Sequence, residues 1–205
     1  MSLSYKAKKT SVKPYKQHLS RGCGPSSLLI ILHTYNPIKF PLTSEMEDEI
    51  YNFSKFKDKD TTSIPGLALY ALQSGFNVKL YGSYEIPKKP IVMSDTDYNE
   101  YVKKYVYFKE EAKKQGLKEL LGDFSLDELI EKEIYDNNLA MILIKLDQKA
   151  EILHNIVIRG HKSNKILCVD PMRGEYITYG KKDLNNMMTL PFMKIALVVE
   201  NPNKK

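Results

Sequence analysis

A cysteine stands between two glycines in the stretch Gln17-His-Leu-Ser-Arg-Gly-Cys23-Gly-Pro-Ser-Ser-Leu28, immediately before an apolar run. Proline is tolerated in the first turn of a helix, so Pro25 and the run after it predict a helix from about Pro25 to Tyr35. At a helix N-terminus the free backbone N–H groups and the helix dipole favour a thiolate over a thiol. The stretch therefore predicts that Cys23 is a nucleophile, and a buried structural cysteine in a turn is the alternative interpretation.

The neighbours of Cys23 supply further features that acyl chemistry needs. Gly22 and Gly24 leave room for a substrate backbone to approach the sulfur, and Arg21 adds positive charge nearby. The backbone N–H of Cys23 can point at the oxyanion that forms on an attacked carbonyl. Gln17 precedes Cys23 by six positions and can supply a second donor from its side-chain amide. Together these features favour the catalytic interpretation of Cys23.

Two strands and a turn near residues 160–164 are predicted by the stretch His154-Asn-Ile-Val-Ile-Arg-Gly-His-Lys-Ser-Asn-Lys-Ile-Leu-Cys-Val-Asp170-Pro171. An odd loop centred on Lys162 would place three pairs directly opposite each other: His154 with Asp170, Ile156 with Cys168, and Ile158 with Ile166. Opposed residues on one face have Cβ atoms roughly 5 Å apart, so a carboxylate there can hold an imidazole in one tautomer. We therefore expect His154 to be the base and Asp170 to orient it, on condition that the loop is not shifted by one residue.

The remaining cysteine and histidines are interpreted as structural. Cys168 is expected in the core, because nothing near it in the sequence would activate a thiol. The other histidines are interpreted as structural or exposed, and of these only His18, beside Gln17, could reach the site; they are His18, His33 and His161. Two scattered cysteines without a close cysteine or histidine favour neither a disulfide framework nor a zinc site, so no metal or other cofactor is expected.

Charge and composition limit the classes of partner. The 205 residues carry a formal net charge of +6, but the lysines are interleaved with acidic residues. Nucleic-acid readers usually use arginine at specifying contacts, and few arginines occur here, so we expect no nucleic-acid partner. No apolar run reaches the ~20 residues of a membrane span. The polar, basic segment Met1–Pro14 does not resemble a secretory signal, and two scattered thiols fit a reducing compartment, so we expect a cytoplasmic protein unless a leader has been removed.

Helices come first and strands second in the pattern of apolar residues. Helices are predicted at about 25–35, 45–53, 64–75, 97–115 and 126–135, and strands at about 77–81, 140–146, 155–158, 166–170, 175–179 and 194–200. We expect a flexible tail over residues 1–14 and one α+β domain over 15–205. In that domain a helical lobe, at about 15–137, would pack on an antiparallel sheet lobe, at about 138–200, with the site in the cleft between them.

The motifs resemble a known family when they are taken together. The stretch Gln17 to Leu28, the segment His154-Asn-Ile-Val-Ile and the segment Val169-Asp170-Pro171 with Gly174 are similar to the bacteriocin-processing, double-glycine-leader peptidases. More closely, they resemble the stand-alone relatives of these enzymes in the papain-like cysteine peptidase superfamily. The resemblance covers roughly residues 15–200. It implies a papain-like fold with Cys23 as nucleophile, His154 as base, Asp170 as orienter and Gln17 as oxyanion-hole donor.

The resemblance leaves three functions open. The first is a cysteine hydrolase, a peptidase or amidase, that acts on a peptide or small amide through a thioester. The second is an acyltransferase or peptide-bond-forming enzyme on the same scaffold, in which an amine or thiol replaces water. The third is a non-catalytic peptide-binding module. The bacteriocin processors are fused to a transporter that this sequence does not contain, so a double-glycine leader is not assumed as the substrate.

Overall fold

The computed structural model describes residues 8–56, 61–82, 85–86, 89, 94–146, 152–189 and 194–203. The helices are α1 (Cys23–Tyr35), α2 (Ser44–Ser54), α3 (Ile64–Gln73), α4 (Asp95–Lys114), α5 (Leu126–Leu129), which continues as a π-helical turn (Ile130–Ile134), and α6 (Lys181–Met188). The strands are β1 (Lys8–Lys9), β2 (Val78–Gly82), β3 (Lys118–Leu121), β4 (Leu139–Lys145), β5 (Leu153–Lys162), β6 (Lys165–Asp170), β7 (Glu175–Gly180) and β8 (Ile195–Val199).

These strands form a single sheet in the order β3-β2-β8-β4-β5-β6-β7, and β1 pairs with β5. The β2–β3 pair is parallel and the other pairs are antiparallel. The prediction of an α+β papain-like fold is confirmed. The sheet nevertheless draws β2 and β3 from the segment that we predicted as a helical lobe. Val78 and Leu80 of β2 pack in one core and Tyr81 packs in the other.

The sheet is covered on both faces, and each face has its own core. On one face α1, α2 and α3 contribute most of the helical side chains, and the cluster includes Leu28, Leu32, Ile50, Leu67, Met141, Val157 and Val169. On the other face the π-helical turn and α6 pack on the sheet, with Ile130, Ile142, Ile156, Cys168 and Leu184. Burial of α1 against β5 and β4 fixes the position of its first residue, Cys23. None of the helices in the described part of the chain is both long and apolar enough to cross a membrane.

The predicted flexible tail needs correction over residues 8–14. Lys8 and Lys9 pair with His161 and Gly160 in β5, and the Thr10 N–H donates to the Arg159 carbonyl oxygen at 2.8 Å. Val12 is buried in the first core. The chain enters the domain before residue 15, because β5 continues past its pairing with β4 and this short strand pairs with the continuation. Residues 1–7 of the predicted tail lie outside the described residues.

Two further elements were absent from the sequence prediction. The strand β3 is short and largely exposed, so it lacks the apolar alternation that marks a half-buried strand. The helix α6 buries only Leu184 and Met188, and its remaining residues are polar or partly exposed. Both elements are held by tertiary contacts that local propensity does not encode.

Candidate active site

Cys23 is the first residue of α1, two positions before the predicted start of the helix. Gly22 caps the helix through its backbone, since its carbonyl oxygen accepts the Ser26 N–H at 2.9 Å. The first N–H groups of a helix have no partner inside it, so those of the first turn are available to an anion beside Cys23. The Cys23 side chain is partly exposed, whereas the next residues of the helix are buried. A thiol at this position can be reached by a substrate while its helix stays fixed in the core.

His154 and Asp170 are in direct contact. The His154 Nε2 lies 2.7 Å from the Asp170 Oδ1, and both side chains are buried. This contact leaves Nδ1 as the ring nitrogen that remains for Cys23, and Nδ1 is buried without a hydrogen-bond partner in the described structure. Burial would lower the pKa of His154, but hydrogen bonds to Asp170 and Cys23 and the negative charge of both raise it to about 9. The ring therefore carries a proton over most of the physiological range.

The register that brings His154 to Asp170 differs from the predicted one. Lys162 pairs with Lys165 across a two-residue turn, in which Ser163 has a φ of 52°. The odd loop centred on Lys162 was therefore wrong, and this turn alone would place His154 and Asp170 on opposite faces. A β-bulge between Ile158 and Gly160 adds one residue to β5 and restores the shared face.

The bulge also changes which residues stand opposite each other. After it, Ile158 pairs with Cys168 and Val157 with Val169. Continuation of this register would set Asp170 opposite Ile156, and His154 would be its diagonal neighbour. Diagonal neighbours on one face are about 7–8 Å apart at Cα, which long side chains span. His154 and Asp170 are therefore in contact as predicted, but as diagonal neighbours and not as a directly opposed pair.

The turn after β6 fixes the Asp170 carboxylate. The Met172 N–H donates to Asp170 Oδ1 at 2.9 Å, and the Gly174 N–H donates to the Asp170 carbonyl oxygen at 2.8 Å. Burial would raise the pKa of Asp170, but its hydrogen bond to His154, the positive charge of the ring and the backbone N–H groups of Met172 and Arg173 hold it below its ordinary value. The Gln17 N–H donates to the Pro171 carbonyl oxygen at 2.7 Å, so the turn is tied to the segment before Cys23.

The two cysteines have opposite electrostatic environments. Burial works against ionisation of Cys23, but the hydrogen bond and charge of His154 and the N–H groups of Asn155 hold the pKa of this thiol below its ordinary value. Complete burial raises the pKa of Cys168 well above its ordinary range. Only the thiolate is a strong nucleophile, so the structure distinguishes the two thiols in the direction that the sequence predicted.

Asn155 is a site residue that the sequence interpretation missed. Its Nδ2 lies 3.6 Å from the Cys23 sulfur, and its side chain is buried. An amide directly after His154 and before the apolar run Ile156–Ile158 was the available signal. That signal was weak, because alternation alone does not tell which polar residue of a strand faces a helix N-terminus.

Gln17 lies in the loop that leads to Cys23, but its amide is turned toward that loop. Its Nε2 donates to the Leu19 carbonyl oxygen at 2.8 Å and to the Ser20 carbonyl oxygen at 3.2 Å. Its Oε1 is buried without a hydrogen-bond partner in the described structure. Both amide hydrogens are therefore engaged by backbone, and donation to an oxyanion requires the amide to rotate. The role predicted for Gln17 stays a prediction.

The other histidines lie outside the Cys23–His154–Asp170 cluster. His18 has an exposed side chain, His33 Nδ1 lies 2.9 Å from the Phe40 carbonyl oxygen, and His161 packs edge-on against Tyr135. No group of three or more histidine, cysteine or acidic side chains suited to a metal ion occurs in the described ranges.

A buried carboxylate holds the loop that precedes Cys23. Glu47 of α2 is fully buried, and its two oxygens accept the His18 N–H at 2.8 Å and the Leu19 N–H at 3.0 Å. A side chain at Gly22 would collide with Glu47 Oε1, so this glycine is required by the close approach of the carboxylate. Glu47 therefore positions the loop between Gln17 and Cys23 from a distant part of the chain.

Replacing Glu47 by glutamine is expected to destabilise the loop and the fold. An amide offers one acceptor atom, so one of the two partly buried N–H groups would face an NH₂ group and lose its partner. Leaving a buried donor without a partner costs about 1–3 kcal/mol. Thermal melts of Glu47→Gln measure this loss, with Glu49→Gln on the same helix as the matched control, since Glu49 is exposed and its oxygen can still accept the Tyr70 hydroxyl. Equal melting temperatures for the two variants would contradict the assigned role.

The family of the chain follows from a comparison with known protein families. Residues 12–197 match the model of the Peptidase_C39-like family. The chain belongs to this family. This match confirms the resemblance to the bacteriocin-processing peptidases that the sequence motifs indicated.

Solved structures of C39 peptidases share the fold. The peptidase domain of Streptococcus ComA, a bi-functional ABC transporter in a quorum-sensing pathway, is 16% identical with a TM-score of 0.50, over 92% of this chain and 98% of that chain. A protein from Bacillus anthracis assigned as a C39-like peptidase is 14% identical with a TM-score of 0.52, over 98% of this chain and 100% of that chain. At these identities the likeness shows a common fold. A search among curated proteins found no match.

Proposed function

We propose that the chain is a cysteine hydrolase, a peptidase or amidase, in which Cys23, His154 and Asp170 act as a catalytic triad on a peptide or small amide. The observation that carries the proposal is the position of His154, whose ring bonds Asp170 through Nε2 and interacts with the Cys23 thiol. The lowered pKa of Cys23 and the raised pKa of His154 fit a thiolate–imidazolium pair. The cytoplasm remains the expected compartment.

The reaction divides into two acyl-transfer steps. The Cys23 thiolate bonds to the carbonyl carbon of the substrate, and the carbonyl electron pair moves to oxygen, which N–H groups of the first turn of α1 can bind. Collapse of this intermediate expels the amine, which takes a proton from His154, and leaves a thioester on Cys23. Water then gives a proton to His154 as it attacks the thioester, and the acid leaves as the sulfur returns to a thiolate. Asp170 keeps the imidazole oriented throughout.

The raised pKa of His154 predicts a pH optimum with a defined alkaline limit. The imidazolium must deliver a proton to the leaving amine, and it holds that proton below its pKa of about 9. We expect kcat/KM to fall as pH rises through about 9, and to fall on the acid side where the Cys23 thiolate becomes protonated. The profile is measured with a saturable amide or ester substrate. An alkaline limit near pH 6.5, the ordinary pKa of a histidine, would contradict the ion pair.

One observation favours a second candidate, a non-catalytic peptide-binding module. The Gln17 amide hydrogens are engaged by the Leu19 and Ser20 carbonyl oxygens, so the predicted second oxyanion donor is turned away.

If Gln17 rotates to the oxyanion during turnover, Gln17→Ala should lower kcat by about 10²–10³, because the Cys23 N–H still donates. An unchanged kcat would remove Gln17 from the proposed machinery and leave the triad in place.

Trapping of the acyl-enzyme separates the candidate functions. The protein is mixed with a panel of peptidyl esters and amides, quenched in acid, and analysed by intact mass and peptide mapping. A hydrolase predicts an adduct on Cys23 that forms quickly and decays to free enzyme and acid. An acyltransferase predicts an adduct that persists in water and is discharged by an added amine or thiol. Absence of any adduct, with peptide binding retained in Cys23→Ala, would support the binding module and reject the hydrolase.

A further inference from the structure

The buried side-chain amide of Asn155 contacts the sulfur of Cys23 in the candidate site. Asn155 is 6% exposed, and its Nδ2 lies 3.6 Å from the Cys23 Sγ, a normal length for an amide donor to sulfur. Its Oδ1 is buried without a hydrogen-bond partner in the described ranges. A Cβ at Gly24 would lie 3.6 Å from the same Nδ2, so the amide packs against the first turn of α1.

Asn155 contacts the neighbouring elements α1 and β4 through its backbone. The Asn155 carbonyl oxygen accepts the Ser27 hydroxyl at 3.2 Å and so ties β5 to the second turn of α1. On its other side the residue pairs with Leu143 of β4. The side-chain amide is not needed for either contact. A buried amide whose oxygen has no partner weakens packing relative to an apolar side chain, so its presence calls for another role.

We propose that the Asn155 side-chain amide is a further catalytic group, which donates a hydrogen bond to the Cys23 thiolate in the free enzyme and again when the sulfur leaves the thioester. The proposal rests on the cysteine-hydrolase function proposed above and adds a group that touches the reacting atom. His154 must give up its proton during each cycle, whereas an amide keeps its hydrogens at all working pH values. Asn155 therefore supplies the thiolate with a donor that does not depend on the protonation of the ring.

This arrangement has a measurable consequence for the thiol. Hydrogen bonds to the charged form of a group favour that form, and Asn155 contributes both its backbone and its side-chain N–H to the lowered pKa of Cys23. Removal of the side-chain donor leaves His154 and the backbone in place. We expect the pKa of Cys23 to rise by about one unit, which corresponds to a tenfold lower thiolate fraction below that pKa.

The test compares two variants that keep the number and branching of the side-chain heavy atoms. Asn155→Leu removes both polar atoms, and Asn155→Asp replaces the donor with an acceptor that repels the thiolate. Ser27→Ala is the matched control, because it breaks the contact to the Asn155 carbonyl oxygen and leaves the amide untouched. The pH dependence of Cys23 alkylation by iodoacetamide, read by mass spectrometry, gives the midpoint for each protein without any substrate. Thermal melts verify the fold, and Asn155→Asp serves alone if the leucine variant does not fold.

We expect the midpoint pH of Cys23 alkylation to rise by about one pH unit in Asn155→Leu and at least as far in Asn155→Asp. In Ser27→Ala we expect this midpoint to stay unchanged. Midpoints equal to that of the unmodified protein in both Asn155 variants would overturn the proposal and leave the triad standing. Shifted midpoints in a protein that forms no acyl-enzyme with any probe would support the hydrogen bond and reject the hydrolase function. An ordinary thiol midpoint in the unmodified protein would overturn both.

Discussion

Replacing Cys23 with alanine is expected to abolish turnover while the fold remains intact. The sulfur is the atom that bonds to the substrate, so both acyl-transfer steps are lost with it, and kcat should fall by roughly 10⁴–10⁶. Cys23 is the first residue of α1 and is partly exposed, so loss of its sulfur removes little packing, about 1 kcal/mol or less. Turnover assays on the first substrate found, together with thermal melts, measure both effects.

Cys168 provides the matched control for this prediction. It is fully buried among apolar side chains of the second core, and burial raises its pKa, so its thiol is unreactive. Cys168→Ala should keep kcat and lose about 1–2 kcal/mol of stability, or ~2–8 °C in Tm, because a cavity forms in the core. Full activity in Cys23→Ala would reject the hydrolase and acyltransferase functions together. Loss of activity in a folded Cys168→Ala would contradict the assignment of Cys23 as the nucleophile.

Replacing His154 with alanine is expected to reduce turnover nearly as far as replacing Cys23. The ring takes part in both proton transfers, and its charge and hydrogen bond stabilise the Cys23 thiolate. The nucleophile and its base act as a unit, so their losses should not add. We expect the double variant Cys23→Ala/His154→Ala to match the slower of the two single variants.

A matched variant at His161 separates this effect from the general loss of a histidine. His161 is also buried in β5, but it contacts Tyr135 and lies at the far end of the strand from Cys23. His161→Ala should lower Tm and keep kcat. Additive losses in the double variant, each single variant retaining substantial activity, would mean that Cys23 and His154 do not act on the same step.

The elements with strong local patterns were predictable. The apolar run after Cys23 forms α1, and Ser125 caps α5 through Glu128 as its capping-box pattern indicates. Helix α5 nevertheless continues as a π-helical turn at residues 130–134, where Lys79, Tyr81 and Asn138 all bind the buried Glu133 carboxylate. That polar cluster is built from segments distant in the sequence, so periodicity could not reveal it.

In the candidate site, the contact between His154 and Asp170 was predictable from the sequence, whereas its geometry was not. His154 and Asp170 were paired on the assumption of an odd turn, and the contact exists because a two-residue turn is offset by a bulge at Arg159. The two-residue turn alone would put His154 and Asp170 on opposite faces of the sheet, and the bulge brings them back to the same face. Gly160 follows Arg159 in this bulge, and a glycine inside a strand often marks one. Because the sequence prediction placed Gly160 in the turn, that signal was not applied to the register.

Residues that support the site from other elements escaped the sequence interpretation. Glu47 holds the nucleophile loop from α2, and Asn155 reaches Cys23 from β5. Each is polar and buried, and each is recognisable only after the distant segment that it contacts is known. The direction of the Gln17 amide likewise depends on the Leu19 and Ser20 carbonyl oxygens, which spacing to Cys23 does not specify.

The central claim, that His154 activates Cys23, is tested most directly by the alkylation rate of Cys23 as a function of pH in the unmodified protein and in His154→Ala. The rate follows the thiolate, whose ordinary pKa is about 8.5. In the unmodified protein we predict a midpoint well below that value, a clear rise of the midpoint in His154→Ala, and no labelling of Cys168 in either folded protein. A Cys23 midpoint at the ordinary thiol value that does not move in His154→Ala would contradict the account.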